Sequence, residues 1–194
     1  MFRSLPMVIG SVVTFSACQT IPNYVPPDSG ATAKIRFATT QVNVEVRREE
    51  RTDCKGGVGT HIALLGPTGW ADSNSNVGKK VGVPLSALGP TGQQLKILGL
   101  TLKPEIKENQ VTETLIPAGG PIAISFNSSQ DFGIGRSHCG LKFAFDVEDT
   151  QKYEALFLSE PQICYVEVFK IVPDGDSYRR VKEPSVRIVK EPCN

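Results

Sequence analysis

From residue 33 onward the chain alternates. Ala33, Ile35 and Phe37 are apolar while Lys34 and Arg36 are charged, and Val42, Val44 and Val46 alternate with Asn43, Glu45 and Arg47. A period of two sends successive side chains to opposite faces of a strand. Short β-rich runs recur at 62–65, 95–102, 111–116, 122–126, 141–146, 153–158, 164–172, 178–181 and 186–189, separated by Gly, Pro, Asn and Asp. That spacing predicts an all-β sandwich or barrel. No segment sustains a helical period, and 104–110 leaves room for one short helical turn. The stretch KIVPDGDSY predicts a hairpin, because Pro173 suits a turn and Asp174-Gly175 tolerate positive φ.

One stretch narrows the architecture. An acidic corner, Asp146 to Asp149, precedes Tyr153 at the head of the next run. The arrangement is similar to the corner of immunoglobulin-like sandwiches, where a tyrosine hydroxyl ties back to upstream backbone. The spacing from Tyr153 to the next cysteine does not match an antibody domain, so the expectation is an immunoglobulin-like β-sandwich of antiparallel strands without membership of that family.

The first residues follow different rules. Arg3 precedes an apolar segment from Leu5 to Phe15, interrupted by Pro6, Gly10 and Ser11. It is too short for a membrane span, which takes about 20 apolar residues, and has the layout of an export signal. Phe15-Ser16-Ala17-Cys18 looks like the lipobox of bacterial lipoproteins, with Phe15 where leucine is usual. The resemblance implies cleavage before Cys18, a diacylglycerol on its thiol and a third acyl chain, such as palmitate, on its new amine. Three chains would anchor permanently, since two already anchor stably. Gln19 after the cysteine implies the outer membrane by the enterobacterial sorting rule. The plainer alternative is a secretory signal cut after Ser16 that leaves Cys18 as a free thiol. The expected division is therefore 1–17 signal peptide, 18–32 lipidated cysteine and Pro-rich tether, and 33–194 β-sandwich domain. A tether of some 14 residues could reach about 45 Å at full extension.

Charge and cysteine content restrict the partners. Losing Arg3 with the signal takes 21 basic residues to 20, against 20 acidic ones. A balanced surface argues against nucleic acid, which needs a basic excess on one face. If Cys18 carries lipid, Cys54, Cys139, Cys164 and Cys193 form an even set, as expected for disulfides in an exported chain. Four cysteines allow three pairings. Cys54 with Cys139 and Cys164 with Cys193 is the expected one, because the second bond would pin the penultimate residue to a core strand.

Metal and catalytic chemistry find little to build on. His61 and His138 lie near Cys54 and Cys139 in sequence, which would suit zinc if those cysteines met as thiolates. No C-x-x-C spacing is present, adjacent strand residues point to opposite faces, and an oxidising compartment favours disulfides, so no metal or cofactor is expected. GRSHCG places Ser137 beside His138, yet consecutive strand positions cannot pair as nucleophile and base, and no G-x-S-x-G elbow is present. CKGGVGTH lacks the Gly-Lys-Ser/Thr of a phosphate loop, and two GPTG stretches, at 66–69 and 89–92, read as two similar turns. Asn127-Ser128-Ser129 matches a glycosylation sequon, which means little in a bacterial lipoprotein.

Trp70 heads a run of Asp, Ser and Asn after the turn at Pro67. It is either a plug for one end of the sandwich or a partner contact, since tryptophan is highly buried on average yet enriched among hot spots. With PPDSGATAKIRF after the anchor and IPAGGPIAISF in the middle, the chain resembles a group of small, uncharacterised proteobacterial outer-membrane lipoproteins. That resemblance implies no activity and transfers no functional residue. The expected function is a non-catalytic binding or structural module, lipid-anchored at the outer membrane and facing periplasm or cell surface. Its partner would be an envelope protein or glycan. The alternative is a periplasmic hydrolase or metal-dependent enzyme using His61 or His138.

Overall fold

The alternating segment at residue 33 forms an interior strand of a five-stranded sheet. The computed structural model describes residues 22–41, 43–50, 59–66, 81–83, 95–97, 100–102, 106, 110–131, 136–160 and 163–189. In chain order the strands are β1 (Thr32–Thr39), β2 (Val44–Glu49), β3 (Thr60–Leu65), β4 (Leu95–Ile97), β5 (Leu100–Leu102) and β6 (Val111–Pro117). They continue with β7 (Gly120–Asp131), β8 (Arg136–Val147), β9 (Lys152–Glu160), β10 (Ile163–Asp174), β11 (Ser177–Lys182) and β12 (Arg187–Ile188).

Two five-stranded sheets form a β-sandwich, one in the order β11-β10-β9-β1-β6 and the other β12-β8-β7-β2-β3. The chain crosses between the sheets after β1, after β3 by way of β4 and β5, and after β6, β8 and β11, and stays within one sheet through the β2-β3, β7-β8, β9-β10 and β10-β11 hairpins. Pairing is antiparallel except between β1 and β9, which run parallel with Ile35 beside Tyr153. The expected β-sandwich of largely antiparallel strands is what forms, and β1 and β9 pair in parallel because both enter the sheet from the same end. The expected strand at 95–102 divides into β4 and β5, which pair antiparallel with each other. Of 104–110, only Ile106 and Gln110 are described.

The core lies where the two-residue period put it. Ala33, Ile35 and Phe37 of β1 and Tyr153, Ala155 and Phe157 of β9 face Val44 and Val46 of β2, Ile124 and Phe126 of β7 and Phe143 and Phe145 of β8. Phe126 stacks on Phe157 across the sheets at 5.0 Å and on Phe143 at 5.8 Å, and meets the edge of Phe37 at 6.0 Å. Centroid separations in this range are those of favourable aromatic pairs, worth about 0.5–1.5 kcal/mol beyond the area they bury. KIVPDGDSY does form a hairpin: Pro173 pairs with Tyr178, and Gly175 turns the chain with a φ of 59° that a side chain would oppose.

The disulfide corrects the expected pairing. Cys139 of β8 bonds to Cys164 of β10, with the two Cα atoms 6.1 Å apart. Cys139 is buried in the core, and Cys164 packs against the same cluster from the other sheet. Two inward positions facing each other across a sandwich were not deducible from spacing, because the register of β8 against β10 is set by the packing of the sheets. The bonds of Cys139 with Cys54 and of Cys164 with Cys193 are thereby replaced. Cys54 and Cys193 lie outside the described residues.

Candidate functional site

Three polar constructions stand on this frame. The first is buried on the outer face of the β11-to-β6 sheet. Arg36, adjacent to two core residues on β1, points away from the core, yet its relative exposure is 0%. Register places Glu113 of β6 beside it on one flank and Glu154 of β9 on the other. The guanidinium Nε and Nη2 both lie 2.8 Å from Glu113 Oε1, and Nη1 lies 3.4 Å from Glu154 Oε2. Arg180 of β11 donates its Nε to Glu154 Oε1 at 2.6 Å.

Backbone from the β3-to-β6 connection covers this network. Arg36 Nη2 donates to the Val83 carbonyl, and the Val81 N–H donates to Glu113 Oε2 at 3.0 Å. Val81 and Val83 pack on Ile171 and Tyr178, and Lys152 Nζ stands 5.4 Å from the Tyr178 ring centre. Between them Gly82 adopts a φ of 68°, in the left-handed region that favours glycine. Two carboxylates and two guanidiniums thus balance in charge and clamp a crossing segment to the sheet. Each ion is paired, as burial of a charge requires.

The second construction is the corner after β8. The Glu148 N–H donates to the Tyr153 hydroxyl at 3.0 Å, the tie expected from the acidic stretch and its tyrosine. Thr150 holds a φ of 61°, and its N–H donates to the Thr32 carbonyl at 2.8 Å. Burial foremost raises the Tyr153 pKa above its ordinary 10.0. Lys170 donates to Glu148 Oε1 at 2.5 Å and lies 3.5 Å from Glu183 Oε2. The Glu148 hydrogen bond is the largest influence raising the Lys170 pKa above its ordinary 10.5.

The third is where the proline-rich segment meets the domain. Asn23 bridges His61 in parallel: the His61 N–H donates to the Pro22 carbonyl at 2.8 Å, and the Tyr24 N–H donates to the His61 carbonyl at 2.7 Å. These bonds lie on the outer edge of β3, the last strand of its sheet. The Tyr24 hydroxyl donates to the Leu115 carbonyl of β6 at 2.9 Å, and the Arg48 guanidinium lies over the ring at 5.6 Å. Burial is the largest influence on Tyr24 and raises its pKa, against the Arg48 charge that lowers it.

The histidines do not meet. His61 pairs with Arg47, which lies beside Ser125 and, through it, Lys142; His138 is four residues further along β8. Three strand spacings and four residues separate them by roughly 20 Å. Cys139 is committed to Cys164, so the zinc donor set of two cysteines and two histidines is not assembled. Among the described residues no group of three or more His, Cys, Asp or Glu side chains could hold a metal ion. Ser137 and His138 are consecutive residues of β8, and Asn127 is exposed on β7. Cys18, Trp70, the first turn beyond Gly66 and the whole second GPTG stretch lie outside the described residues.

Sequence reasoning missed the Arg36 network. Lys34 and Arg36 read alike as the solvent side of β1, and Lys34 is indeed exposed while Arg36 is not. The available signal was three charged residues, Arg36, Glu113 and Glu154, each inside a β-rich run. Only strand pairing shows that they share one row.

Fold and constructions together define a disulfide-clamped, all-β sandwich. In comparisons with known proteins, no family model, no curated protein and no solved structure matches this chain.

Proposed function

We propose that this chain is a lipid-anchored envelope protein of the outer membrane whose β-sandwich is a non-catalytic binding or structural module. It resembles small proteobacterial lipoproteins in its lipobox-like run, with Cys18 as the acylated residue, and its partner is an envelope protein or glycan. The observation that carries the reading is the buried Cys139–Cys164 bond joining the two sheets, since structural disulfides belong to oxidising compartments and so to exported chains. The apolar start ending in Ser16-Ala17-Cys18 supplies the route of export and the point of attachment. The buried charges are matched within the fold and contribute to holding it together, and the separation of His61 from His138 gives the hydrolase or metal-enzyme alternative no shared site.

The test is Cys18→Ser expressed in a Gram-negative host. The wild-type protein should fractionate with the outer membrane and yield an acylated N-terminal peptide by mass spectrometry. The variant should persist as an uncleaved precursor or a soluble periplasmic form. A variant that still matures and stays with the outer membrane would exclude anchoring through Cys18.

A further inference from the structure

The docked segment determines which end of the domain faces the lipid. Pro22 to Tyr24 run parallel to β3 along its outer edge, so Pro22 lies nearer than Tyr24 to the end of the sandwich at which Thr60 begins β3. Resting on the proposed attachment at Cys18, four residue steps remain between the anchor and Pro22. Fully extended they span about 14 Å, well short of the reach of a tether that leaves the domain only at residue 33.

We infer that the β3 edge and the Thr60 end form the membrane-facing side, and that the end carrying the tip of the β7-β8 hairpin points away from the lipid surface. The Thr60 end gathers the end of β2 at Glu49, the corner at Glu148 to Thr150, and the β10-β11 turn. At the other end, β7 and β8 continue pairing beyond Ser128, where β2 stops, out to Asp131 and Arg136. The hairpin tip lies about six residues, roughly 20 Å, further along the strands than the level of His61, beyond what the four-residue link allows if that end were turned to the bilayer. The opposite end is therefore the one presented to a partner in the aqueous space.

Electrostatic attraction does not produce this orientation. Asp149, Asp174 and Asp176 are exposed at the Thr60 end, and an anionic lipid surface repels such a cluster. The short covalent link, held by the Pro22, Asn23 and Tyr24 contacts, sets it instead.

The experiment uses the full mature lipoprotein in phosphatidylcholine vesicles containing a headgroup-labelled acceptor lipid. A coumarin-bearing amino acid replaces exposed Glu50, beside the end of β2, or exposed Ser129, beyond the reach of β2. These positions differ by about 23 Å along the strands, so energy transfer should be at least about twofold stronger from position 50. The difference should survive high salt and disappear when eight Gly-Ser residues are inserted between Gln19 and Thr20. Equal transfer from both positions, or stronger transfer from 129, overturns the inference. Mass spectrometry of the same sample separates the two readings: an acylated Cys18 with equal transfer overturns the orientation alone, whereas a Cys18 without acyl chains overturns the anchor and the orientation with it.

Discussion

Arg36 of β1 and Glu113 of β6 stand directly opposite each other in antiparallel register, both without solvent exposure, with the guanidinium Nε 2.8 Å from Glu113 Oε1. Glu154 takes another arm of the same guanidinium, and the Val83 carbonyl a further hydrogen bond. One cation therefore satisfies two strands and a crossing segment.

Arg36→Ala should cost about 3–5 kcal/mol, because it removes the guanidinium that Glu113 and Glu154 both contact in a fully buried site. Arg36→Lys should recover part of the loss: an ammonium keeps the charge but not the planar fork that reaches Glu113, Glu154 and Val83 together. Denaturant unfolding of the three proteins measures both. Equal stability of Arg36→Ala and wild type would show that the network does not bear on folding.

Gly82→Ala tests the clamp from its other side. A Cβ at this position meets nothing closer than Lys152 Nζ at 4.0 Å, so the cost is conformational, arising from the φ of 68°. It should amount to about 1–2 kcal/mol, a fall in Tm of about 2–4 °C per kcal/mol for a domain of this size, read by calorimetry.

The tyrosines predict a loss of stability in alkali. The Tyr153 pKa is raised in the folded state, chiefly by burial, so above pH 10 the unfolded chain releases its phenolic proton while the folded one retains it. Stability is then fully present below the unfolded value and falls as pH rises through the folded one. Tyr24 and Lys170, both raised, contribute in the same direction. Tyr153→Phe should cost about 1 kcal/mol at neutral pH through the lost Glu148 hydrogen bond, and should flatten the decline above pH 10. Unfolding free energies at pH 8 and at pH 11 check the slope.

Peptide mapping without reductant should recover Cys139 bonded to Cys164. With Cys18 acylated, parity then leaves Cys54 to pair with Cys193, and that peptide is expected in the same digest. The closed loop spans a sequence separation of 25, for which chain entropy gives a stabilisation of about 3.5 kcal/mol. The double variant Cys139→Ala, Cys164→Ala should lose about that much on denaturant unfolding. A Cys54–Cys139 peptide would contradict the packing of β8 on β10.

Local pattern settled much of this protein. Alternation at Ala33 to Phe37 determined that these three side chains share one face of β1, since successive side chains of a strand point to opposite faces. Pro173 to Gly175 determined a hairpin, because few residues tolerate that turn, and Asp146 to Tyr153 determined a corner closed by one hydroxyl. These are short-range constraints, written in neighbouring residues.

Tertiary structure alone decided the rest. The bond between Cys139 and Cys164, the burial of Arg36 between Glu113 and Glu154, and the docking of Pro22 to Tyr24 on β3 each join residues distant along the chain. The parallel match of β1 with β9 belongs with them. Each depends on strand order and on the register of one sheet against the other. A two-residue period says which way a side chain points, but not which strand will lie beside it or what will cover it.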